Sequence, residues 1–280
     1  MIEKTSNYDA TRRIEYDESK VLVLADLHLD HYLGQRMDPL KNVPPAQLSD
    51  VTHCVLAGDL SNKGHKKWKQ CLPWIAERLP NAQVFVMPGN HDYYDGNIDQ
   101  EDKLRAVAND HGAEFLQKSE LLFGRHRLLC ATLWSDFQVY GDRVDNMRHA
   151  SSGMNDYKSI RVAKTGFKRV TPSQTATIFH EHLTWLDEKL SEHFNGETTV
   201  VTHHAPHRKA LLQETALGPC YASDLEGLIL RYQPKRWLYG HTHQTVSFTV
   251  GATLLQNVSV GYPGEVPSLD SLHQHIFDLA

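Results

Sequence analysis

The stretch Val86-Met87-Pro88-Gly89-Asn90-His91-Asp92 decides how the rest of the chain reads. An apolar run from Gln83 to Met87 stops at Pro-Gly and delivers an amide, an imidazole and a carboxyl in a row. The run predicts a buried strand and Pro-Gly its turn. Three polar groups of different chemistry then sit just past a strand's C-terminal end, where open α/β sheets bind ligands. An ordinary Asn-His-Asp surface turn has the same composition. What separates the two readings is recurrence, because the same arrangement returns four more times along the chain.

Working outward toward the N-terminus, Val21 to Ala25 is a continuous apolar run ending in Asp26-Leu27-His28. Strand geometry places the acid and the imidazole, two apart, on one face. Cys54 to Ala57 is a second such run, ending in Gly58-Asp59-Leu60-Ser61-Asn62-Lys63-Gly64, whose flanking glycines suit a tight loop. A helix is predicted from His65 to Leu79, with Trp68, Leu72, Ile75 and Leu79 on one face and Pro73 bending or breaking it. Residues 1–20 read as a short arm or edge strand, and 29–50 as loop with one short helix.

Toward the C-terminus, Asp99 to His111 is predicted helical with Gly112 as its cap. Glu120 to Phe123 and Leu128 to Leu133 suggest strands. Trp134 to Val170 has no sustained period, several aromatics and a basic group of Lys158, Arg161, Lys164, Lys168 and Arg169. It reads as an ordered irregular loop that covers substrate. Thr171-Pro172-Ser173-Gln174 is a helix start, and the helix runs to about His193 with Phe179, Leu183, Leu186 and Leu190 inward. Strands follow at Thr198 to Thr202, ending in His203-His204-Ala205-Pro206, and at Arg236 to Tyr239, ending in Gly240-His241-Thr242-His243. A helix from Asp224 to Tyr232 lies between them. Val246 to Val250, Thr253 to Gln256 and His275 to Leu279 alternate like antiparallel strands.

Composition sets the class. The 280 residues are 40% hydrophobic and 22% charged, an ordinary soluble balance, and with no repeat or linker they read as a single domain over 1–280. A net charge of −5 argues against a general nucleic-acid binder, so nucleic acid is not an expected partner. Cys54, Cys71, Cys130 and Cys220 are scattered without a C-x-x-C pair, as reduced core thiols are. Met1 to Lys20 lacks the apolar core of a signal peptide, and no apolar stretch is long enough to span a bilayer. The expectation is a cytoplasmic protein with no membrane partner.

Five apolar runs therefore end in Asp26/His28, Asp59, Asn90/His91, His203/His204 and His241/His243. Hard oxygen and borderline nitrogen donors without thiolate suit Mn, Fe or Zn. They are too many for one tetrahedral ion and enough for two divalent or trivalent transition metal ions sharing a carboxylate. Such a pair can clamp the attacking and leaving oxygens of a phosphoryl transfer.

The blocks Asp26-x-His28, Gly58-Asp59-x4-Gly64, Gly89-Asn90-His91-Asp92, His203-x2-Pro206 and Gly240-His241-x-His243 resemble the calcineurin-like metallophosphoesterase superfamily, in its order. The resemblance implies an α/β fold, a four-layer αββα sandwich with two mixed β-sheets and a dinuclear site at the strand ends. It implies that Asp26, His28 and His243 hold one metal, that Asn90, His203 and His241 hold the other, and that Asp59 bridges them. His203 is preferred to His204 because it directly follows Val200-Val201-Thr202. His91 would protonate the leaving oxygen, and a metal-bridging hydroxide would attack.

One departure is informative. Protein phosphatases of this superfamily carry GDYVDRG as the second block. Here Asn62 and Lys63 stand where the His-orienting acid and the arginine would be, which weakens a protein-phosphatase reading and leaves the partner of His91 open. The expected activity is hydrolysis of a small phosphate ester, a phosphodiester or nucleotide-type substrate before a phosphomonoester. A nuclease or a non-catalytic interaction module on the same fold ranks behind these.

Overall fold

A computed structural model describes residues 10–14, 19–265 and 273–279. In chain order its strands are β1 (Ala10–Ile14), β2 (Ser19–Leu24), β3 (His53–Ala57), β4 (Gln83–Met87), β5 (Ala113–Phe115), β6 (Ser119–Phe123), β7 (His126–Ala131), β8 (Arg161–Val162), β9 (Lys168–Arg169), β10 (Glu197–Thr202), β11 (Arg236–Tyr239), β12 (Ser247–Val250), β13 (Thr253–Asn257) and β14 (Ile276–Leu279). One sheet has the order β14-β2-β3-β4-β5, the other β1-β6-β7-β10-β11-β13-β12, and β8 and β9 form a separate ribbon. Both large sheets are mixed. β2, β3, β4 and β5 run parallel with β14 against them. β7, β10, β11 and β13 run parallel, flanked by antiparallel β6 and β12.

Alternation along the buried strands produces the layers. Val21, Val23, Val55 and Phe85 meet Leu121, Leu128, Val201 and Leu238 in a core between the sheets. Their chain neighbours Leu22, Leu24, Leu56 and Val86, pointing the other way, belong to the core that includes Trp68, Leu72 and Ile75 of the helix Gly64–Arg78. Leu129, Val200 and Trp237 do the same for Phe179 and Leu186 of the helix Pro172–Ser191 and Ile229 of the helix Glu226–Tyr232. This is the four-layer αββα sandwich the sequence resemblance implies. Burial on both faces is why these strands read as unbroken apolar runs.

Register brings the strand ends together. Leu24, Leu56 and Val86 are paired across the first sheet, and Ala131, Thr202 and Tyr239 across the second. Every polar block therefore emerges at one level on one edge. A bridge between Ala25 and Ser259 ties the two sheets at that edge.

Several expectations need correction. Trp134 to Val170 is not an irregular loop: it contains the helices Arg143–Gly153 and Asp156–Ser159 and the β8–β9 ribbon. The first of these helices buries only Ala150, so it has no apolar period to read, and it is started by Asp142, which accepts from Val144 N and Asp145 N. Residues 29–50 hold two short helices, Leu29–Gly34 and Pro45–Ser49. The helix over 64–78 passes through Pro73 unbroken. Pro73 and Lys69, one turn earlier, are both exposed, so the carbonyl that proline cannot bond lies on the wet face. The edge-strand reading of residues 1–20 holds for β1, while residues 1–9 and 15–18 lie outside the described ones.

Candidate metal centre

Backbone shape aims the side chains. Asp26, His28, Asp59, His241 and His243 all have positive φ, between 40° and 64°. Non-glycine residues take this left-handed conformation at a cost of about 1–2 kcal/mol each, and Asp, Asn and His tolerate it best. The strands β2, β3 and β11 thus end in a sharp reversal that turns these side chains back over the sheet edge. Glycines make room. A Cβ on Gly89 would collide with the Asp59 carboxylate, and one on Gly58, itself at φ +93°, with the His203 ring.

The structure brings Asp26, His28, Asp59, Asn90, His203, His241 and His243 into one cluster. Ligand-type atoms of Asp26, His28 and His243 lie within 4.8 Å of one another, as do those of Asp59, His203 and His241. Asp59 Oδ2 lies 3.5 Å from His203 Nε2 and 4.0 Å from His28 Nε2, and so belongs to both halves. All but His243 are buried. His204 is not in the cluster. Its Nδ1 faces the Thr132 carbonyl and its ring packs on Trp134 and His241.

Each group is anchored through one atom and left bare at another. Asp26 Oδ2 accepts from His241 N and Ser259 Oγ, while Oδ1 faces only the cluster, 3.2 Å from His243 Nε2. Asp59 Oδ1 accepts from His91 N, while Oδ2 has none. His203 Nδ1 donates to the Ala57 carbonyl, which leaves Nε2 to face Asn90 Oδ1 at 3.1 Å. His243 Nδ1 bonds Glu265 at 2.8 Å, and its Nε2 sits 3.2 Å from His28 Nε2. His241 Nε2 is buried without a partner. Bare buried carboxylate oxygens and imidazole nitrogens cost free energy unless a cation meets them. The donor set fits two transition metal ions.

Charge within the cluster is balanced by protons. His203 is pushed up to about 9: burial would lower it, and the Asp59 carboxylate outweighs burial. His243 rises to about 10 in the same way, beside Asp26 and Glu265. Burial holds His28 and His241 down to about 3, so they stay neutral. A bound cation displaces the protons on His203 and His243, which makes metal affinity fall with acid.

Residues that sequence reasoning passed over complete the site. Asn62 Oδ1 lies 2.8 Å from His91 Nδ1, and Asn62 Nδ2 reaches His31 Nε2 and Asp30. The amide occupies the place where the GDYVDRG pattern has an acid, and it fills the partner position of His91 that the sequence left open. Asp92, given no role from sequence, accepts from Asp59 N, Ser61 N, Gly89 N and Trp68 Nε1 and staples two motif loops together. Burial and the Asp59 carboxylate push it up to about 8 against the pull of those four donors. Asp156 accepts from Asn90 Nδ2 and Tyr94 OH and so turns Asn90 Oδ1 toward His203. Nothing local marks Asp156 or Glu265, because both arrive from distant segments. Tyr262 stacks on His28 with centroids 3.9 Å apart.

The model of the calcineurin-like phosphoesterase family matches residues 19–245. The chain belongs to that family, and is a metal-dependent hydrolase of phosphate esters. It is 26% identical over 241 residues to an uncharacterized protein of Acanthamoeba polyphaga mimivirus, covering 78% of this chain and 81% of that one. Its fold is similar to that of the phosphopantetheinyl hydrolase of Mycobacterium tuberculosis, with a TM-score of 0.67 and 18% identity over 94% and 96% of the two chains.

Proposed function

We propose that the chain hydrolyses phosphodiester or nucleotide-type substrates at a centre of two metal ions, Mn, Fe or Zn. Asp26, His28 and His243 hold one ion, Asn90, His203 and His241 the other, and Asp59 bridges them. When bound, the ions supply a nucleophile from water near neutral pH and withdraw charge from the phosphoryl oxygens. The chain's own groups do the rest. Asn90 ligates as a neutral carbonyl, held by Asp156, which limits negative charge facing the substrate. Asn62 accepts the Nδ1 proton of His91, so the Nε2 edge is the one presented to the leaving oxygen, where His91 acts as general acid.

One observation carries the preference for a diester. Beyond the cluster lies a cavity of about 560 Å³ whose walls include Met154, Leu211, Gln213, Tyr221, Gln244 and Tyr262, and among the described residues no lysine or arginine lines it. A monoester dianion would find no cationic side chain there, whereas a diester carries a single charge and a second, neutral substituent that amides and rings can contact. The segment 134–170 supplies Met154 and Asp156 and is proposed to cover the substrate. Among the described residues no helix is long and apolar enough to cross a membrane. All four cysteines are buried and unpaired, which supports a reducing, cytoplasmic setting.

The test is to strip the purified protein of metal, restore Mn, Fe, Zn or Ni separately, and compare an aryl phosphodiester with the matching monoester. Preference for the diester is expected. Preference for the monoester overturns the substrate reading, and no turnover with a filled site overturns the reading as a whole.

A further inference from the structure

The β8–β9 ribbon departs from the acidic character of the chain. Between residues 158 and 169 it carries Lys158, Arg161, Lys164, Lys168 and Arg169, all exposed, with no acidic residue in that span. None of the five makes a side-chain ion pair among the described residues. Arg161 and Arg169 are direct partners across the ribbon. Like charges placed opposite each other on a two-stranded ribbon destabilise it; the Asp99 carboxylate reaches the ribbon at the backbone N of Ala163 and Lys164, not at either arginine. At the tip, Phe167 is 56% exposed, at φ +61° after Gly166 at φ +74°. Its backbone carbonyl accepts from Arg161 Nη1, which ties the guanidinium to the turn that presents the ring.

The ribbon is bolted to the catalytic edge. Arg161 bridges to Asn97, with Arg161 N on the Gly96 carbonyl and Ile98 N on the Arg161 carbonyl. Asp95 N bonds the Ser159 carbonyl, and Asp156 at the head of the same segment holds Asn90. The segment it joins, 91–98, begins at His91. The ribbon is thus fixed by backbone hydrogen bonds to the segment that begins at His91.

We propose that the β8–β9 ribbon binds single-stranded nucleic acid, with Arg161, Lys168 and Arg169 on backbone phosphates and Phe167 stacked on a base. This rests on the phosphodiesterase reading above and names the class of substrate as a single-stranded polymer. Cations beside an exposed ring are what a single strand needs, since every base has a π-face and every linkage a charge. An acidic protein partner is disfavoured because its interface centres on clustered apolar anchors, and Phe167 is the one exposed large hydrophobic on the ribbon. The net charge of −5 describes the whole surface and does not bear on a local array.

The probe is a fluorescein-labelled phosphorothioate oligothymidylate, resistant to hydrolysis, titrated with the metal-loaded protein and followed by anisotropy at 50 to 200 mM salt. With three phosphates neutralised, affinity is expected to fall about 20-fold over that range. The triple variant Arg161→Ser/Lys168→Ser/Arg169→Ser is expected to lose most of that salt dependence. Phe167→Ser is expected to lower affinity about 5-fold or more with the slope unchanged. Melting temperatures confirm that the variants fold. Absence of oligothymidylate binding overturns the proposal. So does equal or tighter binding of a labelled poly-glutamate, or a triple variant that binds like wild type. Turnover of the aryl diester by wild type separates the two readings: turnover without oligonucleotide binding removes the ribbon proposal alone, and binding without turnover removes the phosphodiesterase reading alone.

Discussion

At the scale of single residues, the site works by division of labour within each side chain. Asp26 and Asp59 each commit one oxygen to the protein's own donors and leave the other bare. Asn90 is the sharpest case, because a neutral amide offers a cation only its oxygen and must be kept from flipping to do so. Asp156 does that by taking Nδ2 at 2.8 Å. Asp156→Ala is expected to weaken metal binding and activity together by about 10- to 100-fold, the usual effect of removing the partner that orients a ligand. Asp156→Asn keeps an acceptor and should stay near wild type. Metal titration followed by assay at saturating metal checks both, and an Asp156→Ala protein with wild-type metal affinity would remove Asp156 from the site.

At the scale of elements, the helix Pro172–Ser191 shows how scaffold and site are joined. Its start was legible: Thr171 and Gln174 form a reciprocal capping box with Pro172 between them. Its role beneath the site was not. His182, two residues from His180 and without a helical partner in sequence, is buried and accepts from Leu133 N, steadying the turn that leads to Trp134. Burial lowers its pKa from 6.5 to about 3. The folded protein therefore leaves His182 neutral at a pH where the unfolded chain protonates it. Stability is full above about 6.5 and declines as pH falls toward 3, by up to about 1.4 kcal/mol per pH unit for this one group. His182→Gln is expected to flatten the loss of stability between pH 6.5 and 4.5, read by urea unfolding at several pH values. An unchanged slope would mean that His182 takes its proton in the folded state.

At the scale of the whole molecule, two sheets meet along one edge and hold opposite halves of the cluster. β2 and β3 lead to Asp26, His28 and Asp59, β4 to Asn90, β10 to His203 and β11 to His241 and His243. Ions held there would clamp one sheet to the other. Anything that binds only the folded state stabilises it by mass action, about 4 kcal/mol at a thousandfold excess over Kd. Removal of metal with a chelator is expected to lower the melting temperature by roughly 10 °C. Restoring Mn or Zn should return it, and less completely at lower pH, where protons compete with metal for His203 and His243. A melting temperature indifferent to chelation would mean that the cluster holds no metal in the folded protein.

The amino-acid sequence by itself determined where the strands end and which chemistry stands at those ends, because burial on both faces writes continuous apolar runs and the motif residues follow them directly. It also determined the family, since five weak blocks in one order are specific together. It left 134–170 unread because the helix Arg143–Gly153 is polar on nearly every side and the ribbon has two residues per strand, so neither has a period to detect. The sequence already favoured His203 over His204, and the tertiary structure sets His204 outside the cluster with its Nδ1 on the Thr132 carbonyl. Only the tertiary structure matched Asn62 to His91, Asp156 to Asn90 and Glu265 to His243. Those pairings join segments far apart in the chain, and hydrogen-bond geometry over such separations is set by how the two sheets pack, which no local pattern encodes.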